Sequence, residues 1–269
     1  MKNTRIYIAA LSLIWLLLAA SCKLPAPEKK EVAQRVKHNY IILLDLSDRL
    51  IVQDRQPQRD KQIIRDIYGL FEDRVRQNLY IKSRDEIKVV IAPQVGTGLN
   101  RNLFEDRLYV NMDHIQNIYR RPREEERRNA FFANLDTLYR QAVFSSTTTD
   151  YHGADIWKYF YEDLKMDYVT EENTENFLFI LTDGYPIVGK NRNKLLEVRS
   201  QFPDLHIVLM EAAPREKDLE WDSIMSVWQE WFEGMSIEEY TLIKRGSITK
   251  EMEEVKKIVS DDKPTLASR

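Results

Sequence analysis

Two stretches of this sequence, each an unbroken apolar run that ends in an acidic tip, decide the fold. The first is Tyr40-Ile41-Ile42-Leu43-Leu44 followed by Asp45-Leu46-Ser47-Asp48-Arg49, and the second is Phe177-Leu178-Phe179-Ile180-Leu181 followed by Thr182-Asp183-Gly184. A continuous apolar run of this length is typical of a central parallel strand, because such a strand is covered on both faces. Both runs therefore predict strands at the centre of a sheet.

Helical and strand patterns alternate through the rest of the chain. Further strands are predicted over residues 87–92, 107–112, 206–210 and 240–243, the second of these as a short antiparallel edge. Helices are predicted over residues 58–77, 124–144, 154–165, 194–201, 221–232 and 250–259, with a polar loop over 145–153. The alternation predicts an α/β domain with a doubly wound, mainly parallel sheet flanked by helices.

Composition excludes few classes of protein, but it argues against one class of partner. The chain has 269 residues, a formal net charge of -3, 31% charged and 43% hydrophobic residues. The near-neutral balance argues against nucleic acid as a partner. A basic cluster at residues 120–128 is interleaved with Glu124, Glu125 and Glu126, which predicts a solvated helix start.

The amino terminus has the pattern of a bacterial export signal. Lys2 and Arg5 precede an apolar run over residues 6–20 that is too short to span a bilayer comfortably, and small residues at 19–21 lead to Cys22. This resembles a lipobox, in which a peptidase cuts before a Cys that carries lipid such as palmitate, although Leu is commoner than Ala at the first of those small residues. An ordinary cleaved signal and an uncleaved anchor remain alternatives. Cys22 is the chain's single cysteine, which excludes an internal disulfide.

These patterns divide the chain into four parts. They are a signal peptide at residues 1–21, a polar tether at 22–38 that contains two prolines, an α/β domain at 39–245, and a helix and tail at 246–269. The expected location is the bacterial cell envelope, with the domain anchored by lipid to a membrane, expected to be the outer membrane.

The acidic tips are the strongest candidates for a functional site. In a doubly wound sheet the ligand site lies beyond the carboxyl ends of the strands. Asp45 and Asp183 would meet there if their strands are neighbours, and Ser47 adds a hydroxyl. Carboxylate and hydroxyl oxygens suit a hard cation, so the pattern indicates a possible Mg²⁺ site.

Three segments together resemble the von Willebrand factor A domain over about residues 39–243. They are the Asp45 loop, the sequence Gly153-Ala154-Asp155-Ile156 that opens a helix, and the strand that ends in Thr182-Asp183-Gly184. The resemblance implies a divalent-cation adhesion site built from an Asp-x-Ser-x-Ser loop, a Thr and a second Asp. In that family the metal then takes a carboxylate from a partner protein.

Carried over by position, Asp45 and Ser47 match the first loop and Asp183 matches the second Asp. The second Ser is replaced by Arg49, and the Thr is replaced by Ala154. Arg49 would repel a cation or replace it. The candidate substitute ligands are Asp48, Asp150, Asp155, Thr147, Thr148 and Thr149. Asp155 is the one expected among the metal ligands, and Asp48, Arg49 and His152, which lies in a loop near the site, are expected to contribute to binding.

The expected function is binding rather than catalysis: a membrane-tethered module that recruits another cell-envelope protein. No Ser/His/Asp order or glycine-rich phosphate loop is present in the sequence. The alternative is a metal-dependent phosphohydrolase of the haloacid dehalogenase type, which also places an Asp at the end of its first strand. That class needs a second Asp two residues later, where this chain has Ser47.

Overall fold

The centre of the computed structural model is a six-stranded sheet in the order β3-β2-β1-β4-β5-β6. The structure describes residues 36–94, 98–148, 153–184, 201–213 and 221–260. The strands are β1 (Lys37–Leu44), β2 (Glu86–Ile91), β3 (Tyr109–Asn111), β4 (Thr174–Leu181), β5 (Leu205–Ala212) and β6 (Glu239–Lys244). All neighbouring strands pair in parallel except β2 and β3, which confirms the predicted mainly parallel sheet with an antiparallel edge.

The helices lie on both faces of the sheet. They are α1 (Arg49–Val52), α2 (Gln56–Gln77), α3 (Arg101–Arg107), α4 (Asn117–Arg120), α5 (Glu124–Thr148), α6 (Ile156–Lys158), α7 (Leu164–Asp167), α8 (Trp221–Gly234) and α9 (Ile248–Val259), with a π-helical turn at Tyr159–Asp163. The doubly wound α/β fold expected from the sequence is therefore confirmed.

Two predictions about helices and loops differ from the structure. The expected loop at residues 145–153 was wrong in its first part, because α5 continues to Thr148. The expected helix at 154–165 is broken by the π-helical turn between α6 and α7. The short helices α1 and α3 had no sequence prediction, because one or two turns are too short to show a periodic pattern. Most of the helix expected at 194–201 lies outside the described residues.

The alternation of side chains along the central strands produces two apolar layers. Tyr40, Ile42 and Leu44 of β1 pack into one layer with α2, α3, α5 and α9, whereas Ile41 and Leu43 pack into the other with α6, α7 and α8. All five side chains have no exposed surface. This two-sided burial is the reason that residues 40–44 of β1 are apolar at every position.

The register of the sheet brings three strand ends to one level. Leu44 at the end of β1 pairs with Ile91 of β2 and with Leu181 of β4. Each residue that follows these ends therefore emerges at the same edge of the sheet. The edge carries Asp45 from β1 and Thr182 from β4.

The other end of β1 receives the chain from the amino-terminal segment. β1 begins at Lys37 rather than at Asn39, and both Lys37 and His38 are buried. The lipobox and most of the expected tether lie outside the described residues. Within the part of the chain that the structure describes, no helix has the length and apolar character to cross a membrane.

The basic cluster is more deeply built into the domain than a solvated helix start. Arg120 is 6% exposed, and its guanidinium donates to the backbone carbonyls of Ile115, Tyr80, Ile81 and Ser83. The prediction of a solvated helix start is wrong for Arg120, because four carbonyl oxygens replace water around its charge. Arg128 pairs with Glu72 of α2.

Candidate functional site

The carboxyl ends of β1 and β4 form a crevice that joins the two acidic tips. The backbone N–H of Asp45 donates to the carbonyl of Leu181 at 3.1 Å. Thr182 Oγ1 donates to Asp45 Oδ2 at 2.8 Å. Asp183, the next residue, is 7% exposed. The structure thus brings together the two strand tips that the sequence singled out.

The Asp45 carboxylate is almost wholly occupied by protein donors. Its Oδ1 accepts from the backbone N–H of Ser47 at 3.0 Å, and its Oδ2 accepts from Thr182. Burial raises the pKa of Asp45, while Arg49 and the hydrogen bonds from Ser47 and Thr182 oppose that rise. The Asp45 carboxylate is therefore buried and hydrogen-bonded within the protein, and it is not exposed to solvent as an open metal ligand would be.

Arg49 lies between the two strand ends. Its Nε donates to the carbonyl of Asp45 at 2.7 Å, and its Nη2 donates to the carbonyl of Leu181 at 2.9 Å. The same Nε lies 3.9 Å from Asp45 Oδ2. Arg49 is 1% exposed, and among the described residues no acceptor reaches its Nη1.

Asp60 of α2 forms an ion pair with Arg49. Arg49 Nη2 donates to Asp60 Oδ2 at 2.7 Å, and neither side chain has exposed surface. Gln56 Nε2 and the Tyr139 hydroxyl also donate to this carboxylate, at 2.8 and 3.1 Å. Burial opposes the charge on Arg49, but Asp60, Asp45, Tyr139 and Asp183 together raise its pKa above the ordinary value.

Gln56 extends this cluster to a second group of charges. Its Nε2 also donates to Glu211 at 2.7 Å, and Glu211 is paired with Arg59 and Arg245. Glu211 is fully buried and has a left-handed backbone, with φ of 66°, at the bulge in the pairing of β5 with β6. A non-glycine residue holds such a conformation only where its surroundings enforce it. Glu251 is the next carboxyl group in this second group of charges. Its burial, together with the negative charge of Glu211, raises the pKa of Glu251 to about 6, although the hydrogen bond from the Gly246 N–H and the charge of Arg59 act to lower it.

The loop after Asp183 is held from the opposite face of the sheet. Trp228 of α8 donates its indole Nε1 to the carbonyl of Gly184 at 2.8 Å. Trp228, Trp231 and Phe232 are all buried, so this face of α8 belongs to the core. The side chain of Trp221 lies outside the described residues.

Two of the other predicted site residues have local roles. Asp155 Oδ1 accepts from the backbone N–H of Lys158 at 2.9 Å, so it caps α6. Asp48 is half-buried and precedes α1, and its backbone carbonyl accepts from Ile51 and Val52. Ser47 is 6% exposed. Asp150 and His152 lie outside the described residues.

The donor set does not fit a divalent cation. Both Asp45 oxygens already accept hydrogen bonds, and Asp155 is engaged in capping. The position of the family's second Ser holds the Arg49 guanidinium, and Ala154 is buried where the Thr would stand. Within the described ranges, no three His, Cys, Asp or Glu side chains lie close enough together to hold a metal. Mg²⁺ needs a near-octahedral set of oxygens, which these residues do not offer.

Sequence reasoning missed four residues of the cluster around Arg49. Asp60 is bonded to Arg49 itself, Gln56 and Tyr139 donate to Asp60, and Thr182 donates to Asp45. One signal was available for Asp60, because it lies on the apolar face of α2 with Ile63, Ile64 and Ile67. A carboxylate on a buried helical face needs a partner, but the sequence does not say which of several nearby cations supplies it.

The rim of the crevice is apolar. Ile51 and Val52 follow Arg49 on α1, and they are 46% and 75% exposed. Both side chains therefore face outward beside the loop that carries Asp45 and Ser47. The two adjacent exposed aliphatic side chains form a small apolar patch at the surface.

Comparison with known proteins gives a structural similarity and no family. Neither a protein-family model nor a curated protein matches this chain. Among solved structures, it is similar to an aerotolerance-related membrane protein from Bacteroides fragilis carrying multiple mutations to serines. The sequences are 10% identical, the match covers 82% of this chain and 97% of that one, and the TM-score is 0.39.

Proposed function

We propose that the chain is a lipid-anchored protein-binding module of the bacterial cell envelope, with a von Willebrand A-like domain. The partner, another envelope protein, docks at the rim of the crevice between β1 and β4. The observation that carries this proposal is the exposed pair Ile51 and Val52 on α1, directly beside the Asp45 loop. The mostly parallel α/β sheet fits the resemblance seen in the sequence.

The crevice and the entry of the chain lie at opposite ends of β1. The chain enters β1 at Lys37, and the crevice lies beyond Leu44 at the other end of this eight-residue strand. At about 3.3 Å per residue the two ends are about 25 Å apart. The proposed docking site is therefore separated by the length of β1 from the residue at which the chain enters the sheet.

Binding is proposed rather than catalysis because the crevice offers poor means of covalent chemistry. A nucleophilic Asp45 would have to give up its hydrogen bonds from Ser47 and Thr182. The haloacid dehalogenase alternative also needs an acid where Ser47 stands. Turnover of phosphate esters that is lost in Asp45→Asn would favour that alternative.

The anchor has a direct test. The variant Cys22→Ala should not incorporate a fatty-acid analogue in growing cells. Release of the wild type from membranes should require detergent, whereas release of the variant should not. Metabolic labelling followed by membrane fractionation measures both. Label retained by Cys22→Ala would show that the lipid, if any, is attached elsewhere.

The docking surface is tested by crosslinking in cells. The double variant Ile51→Ser, Val52→Ser should lose a specific crosslinked envelope protein while its melting temperature stays close to that of the wild type, because both side chains are already exposed. Met166→Ser is the matched control. Met166 is 79% exposed, and it lies on α7, which precedes the amino-terminal end of β4, whereas the crevice lies at the carboxyl-terminal end of that strand. Retention of the partner by the double variant, or an equal loss with Met166→Ser, would contradict the proposed surface.

A further inference from the structure

The place where the resembled family holds its metal is filled in this protein by a side chain. The guanidinium of Arg49 is bonded to the last carbonyl of β4, at Leu181, and to the carbonyl of Asp45, which follows β1. Those two strand ends carry Asp45 and Asp183, the residues that match the family's acidic ligands. Arg49 thus lies between the same two tips that a cation would bridge.

The charges around Arg49 are those a cation would otherwise balance. Asp60 Oδ2 is 2.7 Å from Nη2, Asp45 Oδ2 is 3.9 Å from Nε, and Asp183 acts on the guanidinium through its charge. Buried carboxylates are costly unless a positive group compensates them. Since Arg49 stays protonated at any physiological pH, its compensation is permanent, whereas a metal can dissociate.

A divalent ion would compete with Arg49 at a disadvantage. It would be repelled by the guanidinium charge at short range, and it would find part of the acceptor capacity of both Asp45 oxygens already used by Ser47 and Thr182. Arg49 also stands in place of the hydroxyl that the family's loop supplies as a ligand. The guanidinium therefore excludes a metal both by its charge and by removing a ligand.

We propose that Arg49 is a built-in replacement for the adhesion-site metal, so that this domain binds its partner without any divalent cation. The inference rests on the proposed function, because it assigns the family's metal position to Arg49. The surface of this domain that binds the partner is then always able to bind, whatever the concentration of Mg²⁺.

The proposal predicts that a metal site reappears when Arg49 is removed. The variant Arg49→Ser, Asp60→Asn, Ala154→Thr restores the loop hydroxyl and the family's Thr, and it neutralises the carboxylate that Arg49 pairs with. Mn²⁺ should raise its melting temperature by several degrees and bind at least about tenfold more tightly than to the wild type, measured by thermal unfolding and isothermal titration calorimetry. The wild type should show no change at millimolar Mn²⁺ or Mg²⁺.

Arg59→Ser is the matched control, because Arg59 also lies in an ion network but away from the crevice, against Glu211 and Glu251. It should gain no Mn²⁺ binding. A wild-type domain that binds Mn²⁺ and loses it in Asp183→Ala would overturn the proposal, as would a folded Arg49→Ser, Asp60→Asn, Ala154→Thr variant that binds none.

A second measurement does not depend on the folding of that variant. Crosslinking of the wild-type protein to its envelope partner should be unchanged by EDTA. Loss of the crosslink in EDTA, with recovery on adding Mg²⁺, would overturn the replacement by Arg49 and leave the proposed function standing. Absence of any crosslink that depends on Ile51 and Val52 would instead contradict the proposed function.

Discussion

Replacing Arg49 with alanine should lower the free energy of unfolding by about 3–5 kcal/mol. The substitution leaves Asp60 buried without its cation and removes the donors to the carbonyls of Asp45 and Leu181. The uncompensated carboxylate dominates the loss, because a buried charge without a partner is far less stable than the same charge in water. Urea unfolding at neutral pH measures the change.

The double variant Arg49→Met, Asp60→Leu separates the charge effect from the loss of packing. It removes both members of the closest ion pair, so Asp60 is not left as an unpaired charge, and apolar side chains fill the space. Asp45, which lies 3.9 Å from Arg49 Nε, still loses the attraction of that cation. Such replacements of buried pairs are often neutral or stabilising, so we expect the double variant to regain most of the stability lost by Arg49→Ala. An Arg49→Ala variant within about 0.5 kcal/mol of the wild type would show that Arg49 is not paired in the crevice.

Replacing Trp228 with alanine should cost about 3–5 kcal/mol through the loss of a large buried side chain. Trp228 is 3% exposed and packs against Phe160, Trp231 and Phe232. The same change removes the indole donor to the Gly184 carbonyl, which holds the loop after Asp183. Chemical unfolding measures the stability, and amide exchange in the Gly184 loop measures the loss of its support.

A pair of phenylalanine variants isolates the hydrogen bond. Trp228→Phe leaves the Gly184 carbonyl unpaired and should cost about 1–3 kcal/mol from this source. Trp231 is 5% exposed, and among the described residues no acceptor reaches its Nε1. Trp231→Phe therefore breaks no hydrogen bond within the described residues. We expect the free energy of unfolding to fall more for Trp228→Phe than for Trp231→Phe. Equal costs for the two variants would show that the bond to Gly184 contributes nothing.

The centre of the fold was readable from the sequence because burial on both faces leaves a strong signal. Residues 40–44 and 177–181 are apolar at every position, and both form the core of the strands β1 and β4. The antiparallel edge at Tyr109–Asn111 was also predicted. Short helices were missed, since α1 at Arg49–Val52 carries too few residues to show a period.

The candidate site was readable only in part. The convergence of Asp45 with the Thr182-Asp183 tip follows from two neighbouring parallel strands, and the sequence patterns predicted those strands. The pairing of Arg49 with Asp60 depends on how α2 packs over the ends of β1 and β4. Sequence spacing carries no information about that packing, so Arg49 was left with two alternatives, repelling a cation or replacing it.

A crystal structure of the domain grown with Mn²⁺, with anomalous diffraction data, tests the central claim most directly. The account predicts the Arg49 guanidinium between the carbonyls of Asp45 and Leu181, paired with Asp60, and no anomalous peak in the crevice. A manganese peak bonded to Asp45 and Asp183, with Arg49 displaced from Asp60, would contradict it.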